Sequence, residues 1–174
     1  MSSTHLVKVG GKEQRMKTPA LSYLEGETSM KRNDTSEMMR LIRQISNNKP
    51  THEGVEKLAA YGAACVEPLI REAKHVDGQA ARARGYVIYY VGISAFPILY
   101  ELVFNFDREI RVAAADGLGH LNYQGHVDLH RRAIQAVLKD IYYETNPSIK
   151  QELAEARDQL VRIWDMYQTE PKRW

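Results

Sequence analysis

The sequence holds little of what stabilises small secreted domains or membrane proteins. Its 174 residues include a single cysteine, Cys65, so no intramolecular disulfide can form. The longest nearly apolar run, residues 86 to 99, is shorter than the roughly 20 residues that span a bilayer, and it contains Ser94 and Pro97. No apolar stretch typical of a signal peptide stands near the start. These absences predict a cytoplasmic chain with no membrane span.

Charge of one sign is also scarce, because the formal net charge is only +2. Residues 1 to 50 carry nine Lys/Arg against five Asp/Glu, whereas residues 51 to 174 carry 15 against 17. The basic excess therefore belongs to the first part of the chain. A slightly acidic body is poorly suited to neutralising phosphates along an extended surface, which argues against nucleic acid as the partner.

Residues 1 to 33 contain Gly10, Gly11, Pro19 and Gly26 and show no helical or alternating apolar period. We therefore divide the chain into a flexible basic N-terminal arm, 1–33, and a helical domain, 34–174. Three interpretations of the arm stay open. It is a docking strap that orders on a partner, a disordered tail, or an organellar transit peptide.

Helices are predicted at both ends of the domain. The first starts with Asp34 as N-cap and Glu37 three residues later, and one apolar stripe follows at Met38, Leu41, Ile42 and Ile45. The last starts at Pro147 after Asn146, and its apolar residues recur every three or four positions: Ile149, Leu153, Ala156, Leu160, Ile163 and Tyr167. Both are candidate capping helices for the residues between them.

Between these ends the chain repeats itself. Gly62, Gly92 and Gly119 each follow a helical pattern, and they are spaced 30 and 27 residues apart, a period typical of stacked repeats. Pro68 and Pro97 follow the first two glycines. A glycine with positive φ ends one helix, and a proline fits the first turn of the next. Each unit is therefore predicted to be a helical hairpin, which makes the domain all-α.

Residues 107–119, DREIRVAAADGLG, resemble the HEAT-repeat pattern, in particular the short bacterial type first described in phycobilisome lyases. In that family a turn aspartate precedes a branched apolar residue and an arginine, followed by small residues and Leu-Gly. Arg84 stands eight residues before Gly92, as Arg111 stands before Gly119. The resemblance implies an α-solenoid of stacked HEAT-like helical hairpins with capping helices. It also implies that both arginines bond to the adjacent turn and its aspartate.

The match covers about residues 52 to 142 and departs from the pattern in its outer units. The third unit inserts residues 122 to 128 before its second helix and has no proline there. The first unit has Gly54 where the arginine would fall. The central unit is thus the one that the pattern describes best.

Such stacks bind partners along a concave wall formed by the second helix of each hairpin. Residues off the apolar period of those helices are the predicted partner-binding residues: Arg71, Lys74, Tyr100, Glu101, Phe104, Arg131, Arg132, Gln135, Lys139 and Tyr142. They carry both charge signs, so a protein partner is favoured. We expect a non-catalytic scaffold or adaptor, a subunit or assembly factor of a larger complex, that binds through this wall and the arm. The alternatives are a bilin or tetrapyrrole lyase-like, chromophore-handling subunit and a nucleic-acid-binding helical repeat.

Few residues offer chemistry. His120, His126 and His130 form the one histidine cluster and are the candidate metal ligands. No Cys, Glu or Asp is placed to complete the set apart from Asp128, which would point elsewhere on a helix, so loop and capping roles are favoured. Cys65 lies among small apolar residues and is expected to be a buried thiol. We therefore predict no catalytic residue and no cofactor.

Tyr86, Tyr89 and Tyr90 cannot all face a core, so at least one should be exposed.

Overall fold

The computed structural model describes residues 32–47 and 49–169. This part of the chain is all-helical and contains no strand, which confirms the predicted class. Eight α-helices follow in order: α1 (Arg32–Ser46), α2 (His52–Ala59), α3 (Val66–Glu72), α4 (Gly78–Val91), α5 (Phe96–Leu102), α6 (Arg108–Gly119), α7 (Val127–Tyr143) and α8 (Pro147–Thr169).

The first helix starts earlier than the sequence predicts. Helix α1 begins at Arg32, so Asp34 lies inside its first turn and is not the N-cap. A carboxylate in the first turn interacts favourably with the helix dipole, so Asp34 still marks the start of a helix. It lies two residues after the first residue of α1. The predicted arm, residues 1 to 33, lies outside the described residues except for its last two.

Two of the three repeat glycines have the predicted positive φ between the helices of their hairpins: Gly92 is the C-cap of α4, and Gly62 lies two residues after Ala60, the C-cap of α2. Gly62 and Gly92 have φ values of 59° and 70°, and each opens a short 3₁₀ turn that leads into the next helix. Pro68 and Pro97 then lie in the first turns of α3 and α5. The boundaries of the first two hairpins are therefore confirmed.

The third glycine acts differently, and the prediction for it was wrong. Gly119 is the last residue of α6 and is absent from the positive-φ glycines, while His120 caps the helix in right-handed geometry. A Cβ added to Gly119 would lie 3.0 Å from Cδ of Gln159 on α8. Gln159 Nε2 also donates to the Gly119 carbonyl over 2.8 Å. The glycine thus allows close packing of two helices.

Neighbouring hairpins pack helix on matching helix. Helix α2 contacts α4, α3 contacts α5, and α5 contacts α7, while α8 lies against both α6 and α7. Helix α6 is central, because it contacts every helix from α3 to α8. One apolar cluster runs through these contacts from Val66 to Leu160. Four residues of the seam predicted on α8 belong to it or pack against it, namely Ile149, Leu153, Ala156 and Leu160, and Leu153 and Leu160 are fully buried. Ile163 is half-buried outside the cluster, and the side chain of Tyr167 lies outside the described part of the chain.

One stretch of the described chain, Gly78–Leu102, is long and apolar enough to cross a membrane by length and composition alone. It comprises α4, the turn at Gly92 and α5, and its residues Val87, Ile88 and Leu99 are fully buried. Core helices of soluble proteins meet the same criterion. The absence of a membrane span therefore stays a prediction from the sequence.

Candidate functional site

A row of aromatic rings lies along α5. Phe96, Tyr100 and Phe104 are spaced four residues apart, which places them on one side of the helix and its C-terminal turn. The Phe96 and Tyr100 rings stack with centroids 5.4 Å apart, and the Tyr100 and Phe104 rings meet edge to face at 5.6 Å. Exposure increases along the row, from 3% at Phe96 to 46% at Phe104. The row thus leads from the core to the surface.

Two cations from α7 lie over these rings. The Arg132 guanidinium carbon is 4.7 Å from the Tyr100 ring centroid and 5.7 Å from that of Phe96. Lys139 Nζ is 5.5 Å from the Phe104 centroid. Because the pairs follow the same order along both helices, α5 and α7 run in the same direction here. We call these five residues the aromatic–cation face.

Four predicted partner-binding residues therefore meet on one surface: Tyr100, Phe104, Arg132 and Lys139. Gln135 is exposed on α7 between the two cations along the chain. Phe96 was not among the predicted partner-binding residues, and its ring, 3% exposed, is the core end of the row. Its spacing of four residues from Tyr100 was the available signal.

Arg71 and Lys74, on α3 and just after it, are held in ion pairs. Arg71 pairs with Glu67 one turn earlier at 2.9 Å. Lys74 binds the Asp107 carboxylate and lies 3.4 Å from that of Glu109, which ties the end of α3 to the start of α6. The hydrogen bond to Asp107 raises the pKa of Lys74. Lys74 thus has a structural contact in addition to its predicted role.

The other three predicted residues lie apart from the aromatic–cation face contacts. Arg131 is 3.9 Å from Asp128 and 6.0 Å from the Trp164 ring, toward α8. Tyr142 is 77% exposed and packs edge to face on Tyr143. Glu101 is exposed on α5.

A second exposed aromatic group lies on α4. Tyr86, Tyr89 and Tyr90 are between 50% and 59% exposed, which confirms that they do not all face the core. Tyr89 and Tyr90 meet edge to face at 5.8 Å. These exposed tyrosines lie outside the aromatic–cation face, so substitutions at them can serve as controls for substitutions on that face.

The repeat arginines bond to the preceding turn, as the resemblance implies. Arg84 is buried, and its Nη1 donates to the Ala73 carbonyl at the end of α3 over 2.7 Å. Arg111 Nη1 donates to the Asn105 carbonyl after α5 over 3.1 Å. Each guanidinium therefore satisfies carbonyls that a helix end leaves without an intrahelical partner.

The carboxylate partners of these arginines were predicted wrongly. Arg84 pairs with Asp116 at 2.8 Å, and Arg111 pairs with Asp140 at 2.9 Å and Glu144 at 2.7 Å. All three acids come from later helices or the turn after them, whereas the turn aspartate expected to bind Arg111 was Asp107. That side chain instead caps α6, where its Oδ1 accepts from the Glu109 and Ile110 amides.

The pKa values of the two acids at Arg111 shift in opposite directions, although burial alone would raise both. Glu144 accepts the Asn146 and Thr145 amides at 2.8 Å, and these bonds together with Arg108 and Arg111 lower its pKa. Burial raises the pKa of Asp140, although Arg111 opposes that shift. Arg111 thus stabilises the charged form of both acids. The backbone amides also favour the Glu144 carboxylate, whereas burial disfavours that of Asp140.

The three histidines occupy different environments. His120 Nε2 lies 3.6 Å from Asp116, His126 is exposed at the start of α7, and His130 is buried. His130 stacks on Tyr123 with centroids 4.3 Å apart, and its Nε2 lies 2.8 Å from the Leu160 carbonyl. Among residues 32–47 and 49–169, no three His, Cys, Asp or Glu side chains are grouped to hold a metal ion.

Cys65 is fully buried, as expected. Its thiol donates to the Gly62 carbonyl over 3.1 Å, and burial raises its pKa to about 12. Such a thiol is protonated at neutral pH, so it lacks the thiolate that a nucleophile needs.

Comparison with known proteins adds no relative. No family model, no curated protein and no solved structure matches this chain. The resemblance of residues 107–119 to the HEAT repeat therefore stays a prediction carried by the sequence alone.

Proposed function

We propose that the chain is an α-solenoid of HEAT-like helical hairpins, capped by α1 and α8, that serves as a non-catalytic protein-binding scaffold in a larger complex. The contacts of α3 with α5 and of α5 with α7 support this architecture. The common direction of α5 and α7 supports it as well, because stacked repeats present equivalent helices side by side.

The aromatic–cation face carries the functional part of the proposal. Phe104 is 46% exposed and Lys139 and Arg132 are exposed beside it, so large apolar area and positive charge reach solvent together. Aromatic residues and arginine are the residue types that most often dominate binding energy at protein interfaces. A scaffold would bind its partner across α5 and α7.

The test is cross-linking of the tagged full-length chain in its own cells, followed by mass spectrometry. The variant Phe104→Ser removes the exposed ring, and Tyr89→Ser is its control because Tyr89 is 53% exposed on α4. We expect cross-links of the wild type at α5 and α7 to a protein partner, lost in Phe104→Ser and retained in Tyr89→Ser. Equal cross-linking by both variants would refute the proposed surface.

The same purified chain separates the two alternative functions. A visible absorption band that persists through purification would favour a chromophore-handling subunit. Nucleic acid cross-linked to the α5–α7 surface, in place of protein, would favour a nucleic-acid-binding repeat. The scaffold proposal expects neither.

A further inference from the structure

We propose that the aromatic–cation face binds an acidic helical segment of the partner protein, one that carries two carboxylates two helical turns apart and an apolar side chain between them. This inference rests on the proposed scaffold function and adds the chemistry of the ligand. It follows from the charge, the spacing and the packing of the face.

The positive charge of the face is not neutralised within the described chain. Arg132 and Lys139 have no carboxylate partner among residues 32–47 and 49–169, whereas Arg71, Lys74 and Arg111 are each ion-paired. The acids on these two helices are Glu101 on α5 and Asp128 and Asp140 on α7. Asp128 lies near Arg131 and Asp140 pairs with Arg111, and no ion pair joins any of the three to Arg132 or Lys139. The charge is therefore available to a ligand of opposite sign.

The spacing of the two cations matches a helix. Arg132 and Lys139 are seven residues apart on α7, which corresponds to two turns and about 10 Å along the axis. A partner helix with acidic residues at positions i and i+7 would present its carboxylates at the same separation. The half-exposed ring of Phe104 lies beside Lys139 and offers the apolar contact.

Packing on the rings favours a carboxylate over a nucleic acid base. The rings hold Arg132 and Lys139 in place before a ligand arrives, so less side-chain entropy is lost when the cations bind an anion. Single-stranded nucleic acid would instead need free ring faces on which its bases could stack. Arg132 lies over the Phe96 and Tyr100 rings and Lys139 over that of Phe104, so only the exposed part of the Phe104 ring is left for stacking.

The experiment is selection of a phage-displayed random-peptide library on the immobilised full-length chain. The affinity of the enriched peptides is then measured by fluorescence anisotropy. Three proteins are compared: the wild type, the double variant Arg132→Glu with Lys139→Glu, and the control Lys150→Glu with Arg162→Glu. The control makes the same change in net charge at exposed positions of α8. Circular dichroism checks that all three are folded.

We expect enriched peptides to carry Asp or Glu pairs seven positions apart around an apolar residue. Their affinity should fall about tenfold or more in the Arg132/Lys139 variant and stay unchanged in the control. Peptides without acidic enrichment whose binding is lost in Phe104→Ser would overturn the acidic-ligand inference and leave the scaffold function standing.

Other outcomes overturn the inference in favour of another occupant. Binding of a labelled single-stranded oligonucleotide with the same dependence on Arg132 and Lys139 would indicate nucleic acid. Self-association abolished by the Arg132/Lys139 variant would indicate a second copy of this chain. Absence of any face-dependent binding would also overturn the inference, and the cross-linking experiment would then decide the scaffold function by itself.

Discussion

Gly92 adopts φ 70° and ψ −155°, a backbone region that is essentially restricted to glycine. Nothing lies within 4 Å of a Cβ built there, so a substitution meets strain and no clash. We expect Gly92→Val to lower the free energy of unfolding by about 1 to 3 kcal/mol in urea titration. Gly92→Asn should cost nearly as much, because asparagine tolerates the left-handed helical region and not this one.

The matched control is Gln79→Ala, at an exposed position of the same helix, which should change stability by less than about 0.5 kcal/mol. A wild-type midpoint for Gly92→Val would contradict the hairpin boundary that the structure places at this residue.

His130 makes stability depend on pH in the mildly acidic range. Burial lowers its pKa below the usual value of 6.5, although the hydrogen bond to the Leu160 carbonyl opposes that shift. The unfolded chain therefore takes up a proton at this histidine before the folded chain does. The free energy of unfolding should fall as pH drops below about 6.5, by at most about 1.4 kcal/mol per pH unit.

Urea titrations across this pH range provide the measurement. His130→Gln should flatten the dependence, while His126→Ala, at an exposed histidine, should retain the wild-type slope. The same slope in His130→Gln and the wild type would show that other groups cause the pH dependence.

At the scale of elements, α8 is the helix that joins the last hairpin to the core. Leu160 is fully buried between α8 and its neighbours α6 and α7. Leu160→Ala should lower the free energy of unfolding by about 2 to 5 kcal/mol, because the shortened side chain leaves a cavity in the core. Lys150→Ala, exposed on the same helix, is the control. A loss below about 1 kcal/mol for Leu160→Ala would show that α8 contributes little to the core.

The sequence predicts elements well where local signals are complete. Helix α8 starts at Pro147 as predicted, because Asn146 Oδ1 accepts the Ser148 and Ile149 amides and proline needs no such acceptor. Gly119 shows the limit. Its place after a helical pattern matches Gly62 and Gly92, but its role depends on the approach of Gln159, forty residues later. Local pattern carries no information on that distance.

At the scale of the described domain, α6 is the helix with the most neighbours. Ala113, Ala114 and Ala115 are fully buried in this helix, and it contacts every helix from α3 to α8. Hydrogen exchange measured by mass spectrometry should therefore find the slowest amides in α6, because they open only with the core. The amides of α1, which contacts α2, α3 and α4, should exchange faster. Protection of α1 equal to that of α6 would contradict this order.

The candidate site was predictable only in part. Tyr100, Phe104, Arg132 and Lys139 follow from helical period, since all four lie off the apolar stripe. Their meeting does not follow from the period of either helix, and was expected only from the resemblance to stacked repeats, in which the second helices of successive hairpins lie side by side. The acids that bind Arg84 and Arg111 were missed because they lie 29 to 33 residues further along the chain.

The bridges from Arg84 and Arg111 into later helices restrict how this chain could lengthen by duplication. When Gly92 is aligned with Gly119, Tyr89 stands where the Arg84 partner Asp116 stands. A tandem copy of the α4–α5 hairpin would therefore place one Arg84 opposite Tyr89, and loss of the carboxylate partner of a buried arginine costs about 3 to 5 kcal/mol. An added repeat would be tolerated only with a compensating change such as Tyr89→Asp in the second copy.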